Sequence, residues 1–226
     1  MIAFISVSDR TGVQEFALGL AELGFDIYAT SGTQKHLAAV GLTVHNIESL
    51  TGFPPILGGR IKSIHPILYG GVLARRDSEE HMDDLRRSDI APIDLVCVNL
   101  YPFRETVAAG AGLDECLEQI DIGGPAIIRA AAKNFPFVLV LVDPDDYAQA
   151  LDGLRMENVS PEFRRRLAAK AFQHTAAYDT AIATYLRGDE PGFPPQLTIA
   201  LQKALDLRYG ENPHQRAALY RDDSAG

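Results

Sequence analysis

Short apolar runs alternate with helix-period stretches between Ile2 and Val142, and this alternation limits the fold more than any other feature of the sequence. A strand, a helix and a second strand in succession form a βαβ unit, in which the two strands pair in parallel. The pattern therefore predicts an α/β fold with a doubly wound, mainly parallel sheet and helices on both faces. The predicted strands are Ile2–Val7, Asp26–Thr30, Thr43–Asn46, Leu95–Leu100 and Val138–Val142.

Helical periodicity is clear in three of the other segments. In Val13–Leu23 the apolar residues follow the spacing of one buried helical stripe, and Gly24 ends that helix. Asp145–Leu154 and Pro161–Arg187 are helical by the same criterion. Residues 51–76 fit neither period, and a long irregular segment in a compact domain is usually functional or disordered. Its many apolar residues favour an ordered, functional loop.

A Pro- and Gly-rich stretch that ends at Pro195 divides the chain. No periodicity continues through this stretch, so it predicts a linker. We expect one domain over residues 1–190, followed over 191–226 by the linker and the beginning of a second domain. The residues after Pro195 are too few to bury a core of their own.

The composition is that of a soluble globular protein, with 46% hydrophobic and 23% charged residues. A formal net charge of -9 argues against nucleic acid as a partner, although local basic residues can still bind a small anion. No apolar run approaches the length of a membrane span, and the N-terminus lacks the features of a signal peptide. The two cysteines, Cys97 and Cys116, have the pattern of small buried hydrophobes, so we expect a cytoplasmic protein.

Two turns between predicted strands and helices, Ser6–Gly12 and Thr30–Thr33, are rich in hydroxyl residues and glycine. Helix N-termini present free N–H groups and the positive end of the helix dipole, and ligands gather at the carboxyl ends of parallel strands. The two turns are therefore candidates for one phosphate site. The same serines and threonines could instead cap the helices that follow.

Further candidates are polar residues in or beside apolar segments. Arg60 and Lys62 lie in the irregular loop, where two cations suit anionic or carbonyl oxygens but also fit a solvated basic pair. Asn99 and Tyr101 follow an apolar strand, so their polar groups emerge at its carboxyl end. Tyr101 could equally be a core aromatic with a satisfied hydroxyl.

Asp121 lies between two isoleucines and just before two glycines, which let a ligand approach the backbone closely. Lys133 ends the predicted helix Ala126–Lys133, at the opposite end from Asp121, so the two charged groups cannot touch within this helix. Any site that includes both must be assembled by the fold. Burial would shift the pKa of either group towards neutral pH and make that group a candidate for proton transfer. Helix capping is the other interpretation of Lys133.

The six histidines are scattered, with no spacing typical of metal ligands. The chain also lacks the Gly-x-Gly-x-x-Gly and Walker-type loops of nicotinamide and ATP sites. We therefore expect neither a metal nor a cofactor.

Seven short motifs occur in order along the chain: Ser-Val-Ser-Asp-Arg-Thr-Gly, Thr-Ser-Gly-Thr, Leu-Thr-Gly-Phe-Pro, Gly-Gly-Arg-Ile-Lys-Ser-Ile-His-Pro, Asn-Leu-Tyr-Pro-Phe, Ile-Asp-Ile-Gly-Gly-Pro and Arg-Ala-Ala-Ala-Lys-Asn. With these motifs the chain resembles the IMP cyclohydrolase domain of the bifunctional purine biosynthesis enzymes, and Lys170–Asp179 extends the likeness. The resemblance implies a methylglyoxal-synthase-like domain that dimerises. Its implied reaction is ring closure of formamidoimidazole-carboxamide ribonucleotide (FAICAR) to inosine monophosphate (IMP), the last step of purine biosynthesis, without metal or cofactor.

The resemblance also implies roles for individual residues. It assigns the substrate phosphate to Ser8, Asp9, Arg10, Thr30, Ser31, Gly32 and Thr33. It assigns the rest of the nucleotide to Arg60, Ile61, Ser63, Val98, Asn99, Ile122, Gly123 and Gly124. Lys62 and Tyr101 would orient the formyl and carboxamide groups, while Asp121 and Lys133 would manage protons as nitrogen attacks the formyl carbon and water leaves.

Three positions depart from the family's usual pattern: Arg10 replaces lysine, Ser31 glycine and Ser63 threonine. Leu207–Gln215 resembles the opening of the family's formyltransferase domain, nearly all of which is missing from this sequence, so a separate formyltransferase is a candidate partner. Two other functions fit the implied fold. Methylglyoxal synthase eliminates phosphate from a triose, and a non-catalytic sensor binds phosphorylated effectors; fold alone does not separate them.

Overall fold

A computed structural model describes residues 1–188 and 193–222, and its central feature is a five-stranded parallel sheet. The strand order is β3-β2-β1-β4-β5, and every neighbouring pair is parallel. The five strands are β1 (Ile2–Ser6), β2 (Asp26–Ala29), β3 (His45–Asn46), β4 (Leu95–Val98) and β5 (Leu139–Leu141). The predicted α/β fold is therefore confirmed.

All five strands are shorter than the sequence predicts, and β1, β2 and β4 end early where residues at their carboxyl ends bond to turns or to each other. Val7 donates its N–H to the Thr33 hydroxyl at 3.0 Å, and Thr30 shares a hydrogen bond with Ser6 at 2.9 Å. Asn99 likewise bonds to the turn after β1. These residues leave the ladder at one edge of the sheet.

Helices cover both faces of the sheet, so all four residues of β4 are buried. On one side α1 packs against α2 and α9; on the other, α8 packs against α4 and α10. The helices are α1 (Val13–Glu22), α2 (Ser31–Ala38), α3 (Ile47–Thr51), α4 (Pro66–Leu73), α5 (Glu79–Arg87), α6 (Phe103–Ala108), α7 (Leu113–Glu118), α8 (Gly123–Lys133), α9 (Tyr147–Arg155) and α10 (Pro161–Arg187).

The predicted irregular loop is only partly irregular, since it contains the helix α4. Two adjacent glycines in α4 hide its helical period. A Cβ atom at Gly71 would lie 2.6 Å from the carbonyl oxygen of Ala91, so glycine is needed for this close packing. The rest of the segment includes a short 3₁₀ turn at Leu57–Gly59.

Beyond the sheet domain, β6 (Gln202–Leu207) and β7 (Ala217–Arg221) form a separate antiparallel pair. The predicted linker includes residues 189–192, which lie outside the described residues. The division into domains over 1–190 and 191–226 stays a prediction. Among the described helices, none has both the length and the apolar character that crossing a bilayer requires.

The strand order reverses direction at the centre of the sheet. The chain moves outward from β1 through β2 to β3, and then returns to place β4 on the other side of β1. In open parallel sheets such a switch point leaves a crevice at the carboxyl ends of the two central strands, where ligands bind. The crevice here lies between Ser6 and Val98, which are paired in register.

Candidate active site

A cavity of about 690 Å³ opens at this switch point. Its wall is formed by the turns after β1 and β2, the loop before α4, the end of β4 and the segment from α7 into α8. The cavity is lined by every residue of the predicted site except Asp9, Ile61 and Lys133. The fold therefore brings together groups that the sequence separates by more than a hundred residues, such as Ser8 and Asp121.

Asn99 braces the turn after β1. Its side-chain oxygen accepts hydrogen bonds from the backbone N–H groups of Ser8 at 2.6 Å and Asp9 at 3.1 Å, and its amide donates to the Asp9 carbonyl at 2.8 Å. The side chain is only 8% exposed. Asn99 therefore fixes the turn through its own polar atoms.

The hydroxyl groups of Ser6, Thr30 and Thr33 link the two turns to each other, and no described side chain caps α1 or α2. The Thr33 hydroxyl both accepts from Val7 N–H and donates to the Val7 carbonyl, at 3.0 and 3.3 Å. Neither Gly12 nor Thr30, the residues that precede α1 and α2, makes a side-chain capping bond. The capping interpretation is therefore wrong for these two helix starts.

The outer part of this region carries two charged residues with different settings. Arg10 lines the cavity, and its guanidinium lies beside Gly32, since a Cβ atom there would be 3.7 Å from Arg10 Nη2. Asp9 instead accepts two hydrogen bonds from Thr11, at 2.6 and 2.9 Å, which lower the pKa of its carboxyl. Arg10 is the one cation among the predicted phosphate residues, and it lies beside the start of α2.

Lys62 and Tyr101 form a close pair on another wall. The Lys62 ammonium donates a hydrogen bond to the Tyr101 hydroxyl at 2.5 Å, and lies 5.2 Å from the centre of the ring. Because the ammonium occupies a lone pair of the phenol oxygen, the phenol hydrogen can be donated to a ligand in the cavity. This pair could therefore polarise a carbonyl oxygen or stabilise an oxyanion.

Asp121 lies beside this pair in a partly buried position. Its Oδ1 accepts a hydrogen bond from Gly124 N–H at 2.8 Å. Burial raises the pKa of the Asp121 carboxyl, against the opposing effects of backbone hydrogen bonds from Gly124 and Gly123 and of the Lys62 charge. A carboxyl group poised in this way can accept or release a proton more readily near neutral pH than a solvated one.

Gly123 and Gly124, at the start of α8, lie very close to the loop that carries Ser63 and to the side chain of Asp121. A Cβ atom at Gly123 would lie 2.9 Å from Ser63 Oγ, and one at Gly124 would lie 2.5 Å from Asp121 Oδ2. Both distances are shorter than a side chain tolerates. Glycine is needed here because the start of α8 packs directly against the loop that carries Ser63.

Lys133 lies at the opposite end of α8 from Asp121, with an exposed side chain. It lines a separate open groove of about 720 Å³ between α4, α8 and α10, together with Tyr69 and Phe172. Within one chain, the structure does not bring Lys133 and Asp121 together. A joint role of Lys133 and Asp121 in proton transfer therefore has no support from the cavity of a single chain.

Two residues near the site were missed by the sequence analysis. Glu118, at the end of α7, lines the cavity and forms an ion pair with Arg60. The sequence analysis considered Arg60 only as a ligand contact or as part of a solvated basic pair. Tyr178, from α10, bonds to the backbone of Asp121 at 2.8 Å. The stretch Lys170–Asp179 extends the family resemblance, and this was the only sequence signal for Tyr178.

The fold and the cavity define a class of protein, the open parallel α/β domains with a ligand site at the switch point of the sheet. Within residues 1–188 and 193–222, no group of three or more His, Cys, Asp or Glu side chains could hold a metal ion. Comparison with models of protein families assigns the chain to a family within this class. The chain belongs to the MGS-like domain family, whose model matches residues 12–126, and residues 131–226 match the model of the AICARFT/IMPCHase bienzyme family. The predicted family and the methylglyoxal-synthase-like fold are thus confirmed.

Similar proteins include several named bifunctional purine biosynthesis protein PurH. The chain is 51% identical to that of Rhodopirellula baltica over 226 residues, 54% identical to that of Deinococcus radiodurans over 223, and 55% identical to that of Chloroflexus aurantiacus over 224. These matches cover 97–99% of this chain and 43% of each relative. A crystal structure of ForH is 39% identical with a TM-score of 0.73, and the match covers 82% of this chain and 98% of ForH.

Proposed function

We propose that this chain is an IMP cyclohydrolase, which closes the ring of FAICAR to form IMP and water. The observation that carries the proposal is a single cavity that contains both a candidate phosphate site and the group Lys62, Tyr101 and Asp121. The relatives named PurH support a role in purine biosynthesis, although the chain spans less than half of their length.

The two turns suit the phosphate end of the nucleotide. The first turn of α2 carries no side-chain cap, so its N–H groups are available to an anion. Arg10 adds a charge beside the same turn, and Asn99 holds the turn after β1 in place. We expect phosphate to bind between these turns and the imidazole ring to extend towards Tyr101.

The reaction needs positioning and proton transfer more than external reagents. The carboxamide nitrogen attacks the formyl carbon, and a new C–N bond forms. The former formyl oxygen receives one proton from this nitrogen and one from the formamide nitrogen, its C–O bond breaks, and it leaves as water. Lys62 and Tyr101 would stabilise the oxyanion as the carbonyl bond opens, since their hydrogen-bonded pair presents donors to the cavity. Asp121 would accept the proton from nitrogen and return it to the departing oxygen.

Holding the two arms of one molecule in a reactive conformation supplies much of the rate enhancement of an intramolecular reaction. The groups of the protein that act on those two arms must also be held in place. The close packing at Gly123 and Gly124 does this for Asp121, because it fixes Asp121 relative to the loop that carries Lys62. The mechanism draws on three residues of this cavity and does not use Lys133.

The cavity also bears on the two competing functions. A phosphate sensor needs the turns but has no use for a lysine-tyrosine pair beside a partly buried carboxyl group. Methylglyoxal synthase shares the fold and a phosphate site, so the substrate must be tested directly.

The test is the ultraviolet absorbance of the purified chain with FAICAR, with neither metal nor folate added. We expect IMP to appear with the unchanged chain, and turnover to fall sharply in Lys62→Met and Asp121→Asn. Lys35→Met is the matched control, because Lys35 is exposed on α2 and does not line the cavity. FAICAR that binds tightly but stays intact would support a sensor, and release of methylglyoxal from triose phosphate would support the other enzyme.

We also propose a cytoplasmic homodimer as the working form, with a separate formyltransferase as a candidate partner. The family assignment supports the dimer, and the unpaired, buried Cys97 and Cys116 are consistent with a reducing compartment. Light scattering at micromolar concentration tests the dimer. A monomeric mass would contradict it.

A further inference from the structure

The short segment between α7 and α8 carries Asp121 but has no regular secondary structure of its own. One side chain from α10 holds it. The hydroxyl of Tyr178 accepts a hydrogen bond from the backbone N–H of Asp121 at 2.8 Å and donates one to the carbonyl oxygen of Gln119 at 2.7 Å. A single oxygen atom thus satisfies both backbone groups that flank this turn.

The position of that oxygen is itself well fixed. Tyr178 is 9% exposed, and its ring packs edge-on against Phe103 with the centroids 6.2 Å apart. Phe103 is 1% exposed and follows Tyr101 after one proline. The same pair of rings therefore locates both the Tyr101 segment and the Asp121 segment relative to the core.

We propose that Tyr178 is a positioning residue, whose hydroxyl holds the backbone of Asp121 so that the carboxyl group faces Lys62 and Tyr101. This inference rests on the proposed function, because it concerns the geometry of the same reaction. Tyr178 acts through the backbone of Asp121 and needs no contact with the substrate. Its ring fills space in the core, while its oxygen alone carries the positioning.

Tyr178→Phe separates these two roles, because it removes the oxygen and keeps the ring. The N–H of Asp121 and the carbonyl of Gln119 then lose their partner, and an unmade hydrogen bond of this kind costs about 1–3 kcal/mol, or roughly fivefold to 150-fold in an equilibrium. We expect kcat to fall by about tenfold or more, with KM changed by less than about threefold, because the loss acts mainly on the transition state.

The matched control is Tyr185→Phe. Tyr185 lies on the same helix, packs edge-on against the same Phe103 at 5.6 Å, and interacts through its hydroxyl with Cys116. Neither Tyr185 nor Cys116 lines the cavity. We expect this variant to retain kcat within about twofold. Equal losses in the two variants would mean that the tyrosines act only through packing, and would overturn the inference, as would unchanged kcat in Tyr178→Phe.

The pH profile of kcat provides a readout that packing alone does not move. The charged and titratable groups around Asp121 are Lys62, Tyr69, Tyr101 and Tyr178. When the segment loosens, water reaches the carboxyl group, and its pKa should shift down towards the ordinary value. The limb of the profile that disappears in Asp121→Asn should therefore lie at lower pH in Tyr178→Phe. An unmoved limb would contradict the positioning role.

Hydrogen exchange of the backbone amides tests the inference without turnover. In the unchanged chain the Asp121 amide should exchange slowly, and in Tyr178→Phe residues 119–122 should exchange at least tenfold faster. If FAICAR is not converted but this difference appears, the proposed function fails while the structural link stands. If FAICAR is converted and exchange is unchanged, the link from Tyr178 to Asp121 fails alone.

Discussion

Gly124→Ala is the most direct test of the geometry around Asp121. The added Cβ atom would lie 2.5 Å from Asp121 Oδ2 and 2.7 Å from Leu100 Cδ2, whereas non-bonded atoms prefer about 3.5–4 Å. Leu100 is only 8% exposed and has little room to move. The carboxylate of Asp121 must therefore shift by about 1 Å, the overlap that this preferred separation leaves.

Two opposing terms decide the effect on stability. Alanine is better than glycine within a helix by roughly 1 kcal/mol, while overpacking of this kind costs about 1–3 kcal/mol. The net loss is about 0–2 kcal/mol, which corresponds to a fall in Tm of at most about 8 °C for a chain of this length. The variant should therefore fold.

Activity should suffer far more than stability in the Gly124→Ala variant. A displacement of about 1 Å in a catalytic group can reduce the rate by about a hundredfold, so we expect a loss in kcat of that order for FAICAR cyclisation. The control is Gly112→Ala, because Gly112 has a φ of -69°, which alanine adopts readily, and no atom near its missing Cβ. If Gly124→Ala retains kcat within about twofold of the unchanged chain, this account of Asp121 is refuted.

Four further substitutions test other parts of the site. Burial raises the pKa of the Asp121 carboxyl, so the ionised form of Asp121 destabilises the fold. The Tm of Asp121→Asn should therefore rise relative to that of the unchanged chain as the pH rises from about 4 to 7. A difference in Tm that stays constant over this range would contradict the prediction. Thr33→Val leaves the buried N–H of Val7 without its partner and should lower the free energy of unfolding in urea by about 1–3 kcal/mol. Lys62→Met should reduce kcat by about a hundredfold with the fold intact by circular dichroism, since it removes a donor to the oxyanion. Lys133→Ala should reduce turnover much less than Lys62→Met; a large loss that is restored by mixing with Asp121→Asn would instead mean that a second chain supplies Lys133.

The sheet was predictable because each strand and its helix are local in sequence. Apolar stripes such as that of Val13–Leu23 place the buried face of a helix without any long-range information, and α1 buries Val13, Phe16 and Leu20 as expected. The same reasoning failed for α4, where the tight packing of Gly71 against Ala91 replaces apolar side chains with glycines. Local pattern is therefore least informative where two backbones approach most closely.

The function of hydroxyl residues was harder to predict than their position. Thr30 and Thr33 lie where the sequence places them, at the start of α2, whose first turn includes Thr33. Their hydroxyl groups bond to Ser6 and Val7 and not to their own helix. Residue type alone favours capping, since that role is the commoner one. Only the parallel pairing of β1 with β2 brings the second turn within reach.

The two ends of the cavity differ in how far apart in sequence their parts lie. The proposed phosphate end is built from two compact turns, so a motif of a few residues contains most of its candidate donors. At the chemical end, Lys62 meets Tyr101 across 39 positions and Asp121 meets Tyr178 across 57. The first bond depends on where the loop before α4 meets the end of β4, and the second on where α10 crosses the sheet domain. No local pattern encodes either crossing. A substitution at Tyr178 in α10 is therefore expected to impair the proposed reaction while both hydroxyl-rich turns stay intact. Its hydroxyl contacts the backbone of Asp121 and Gln119, although Tyr178 itself does not line the cavity.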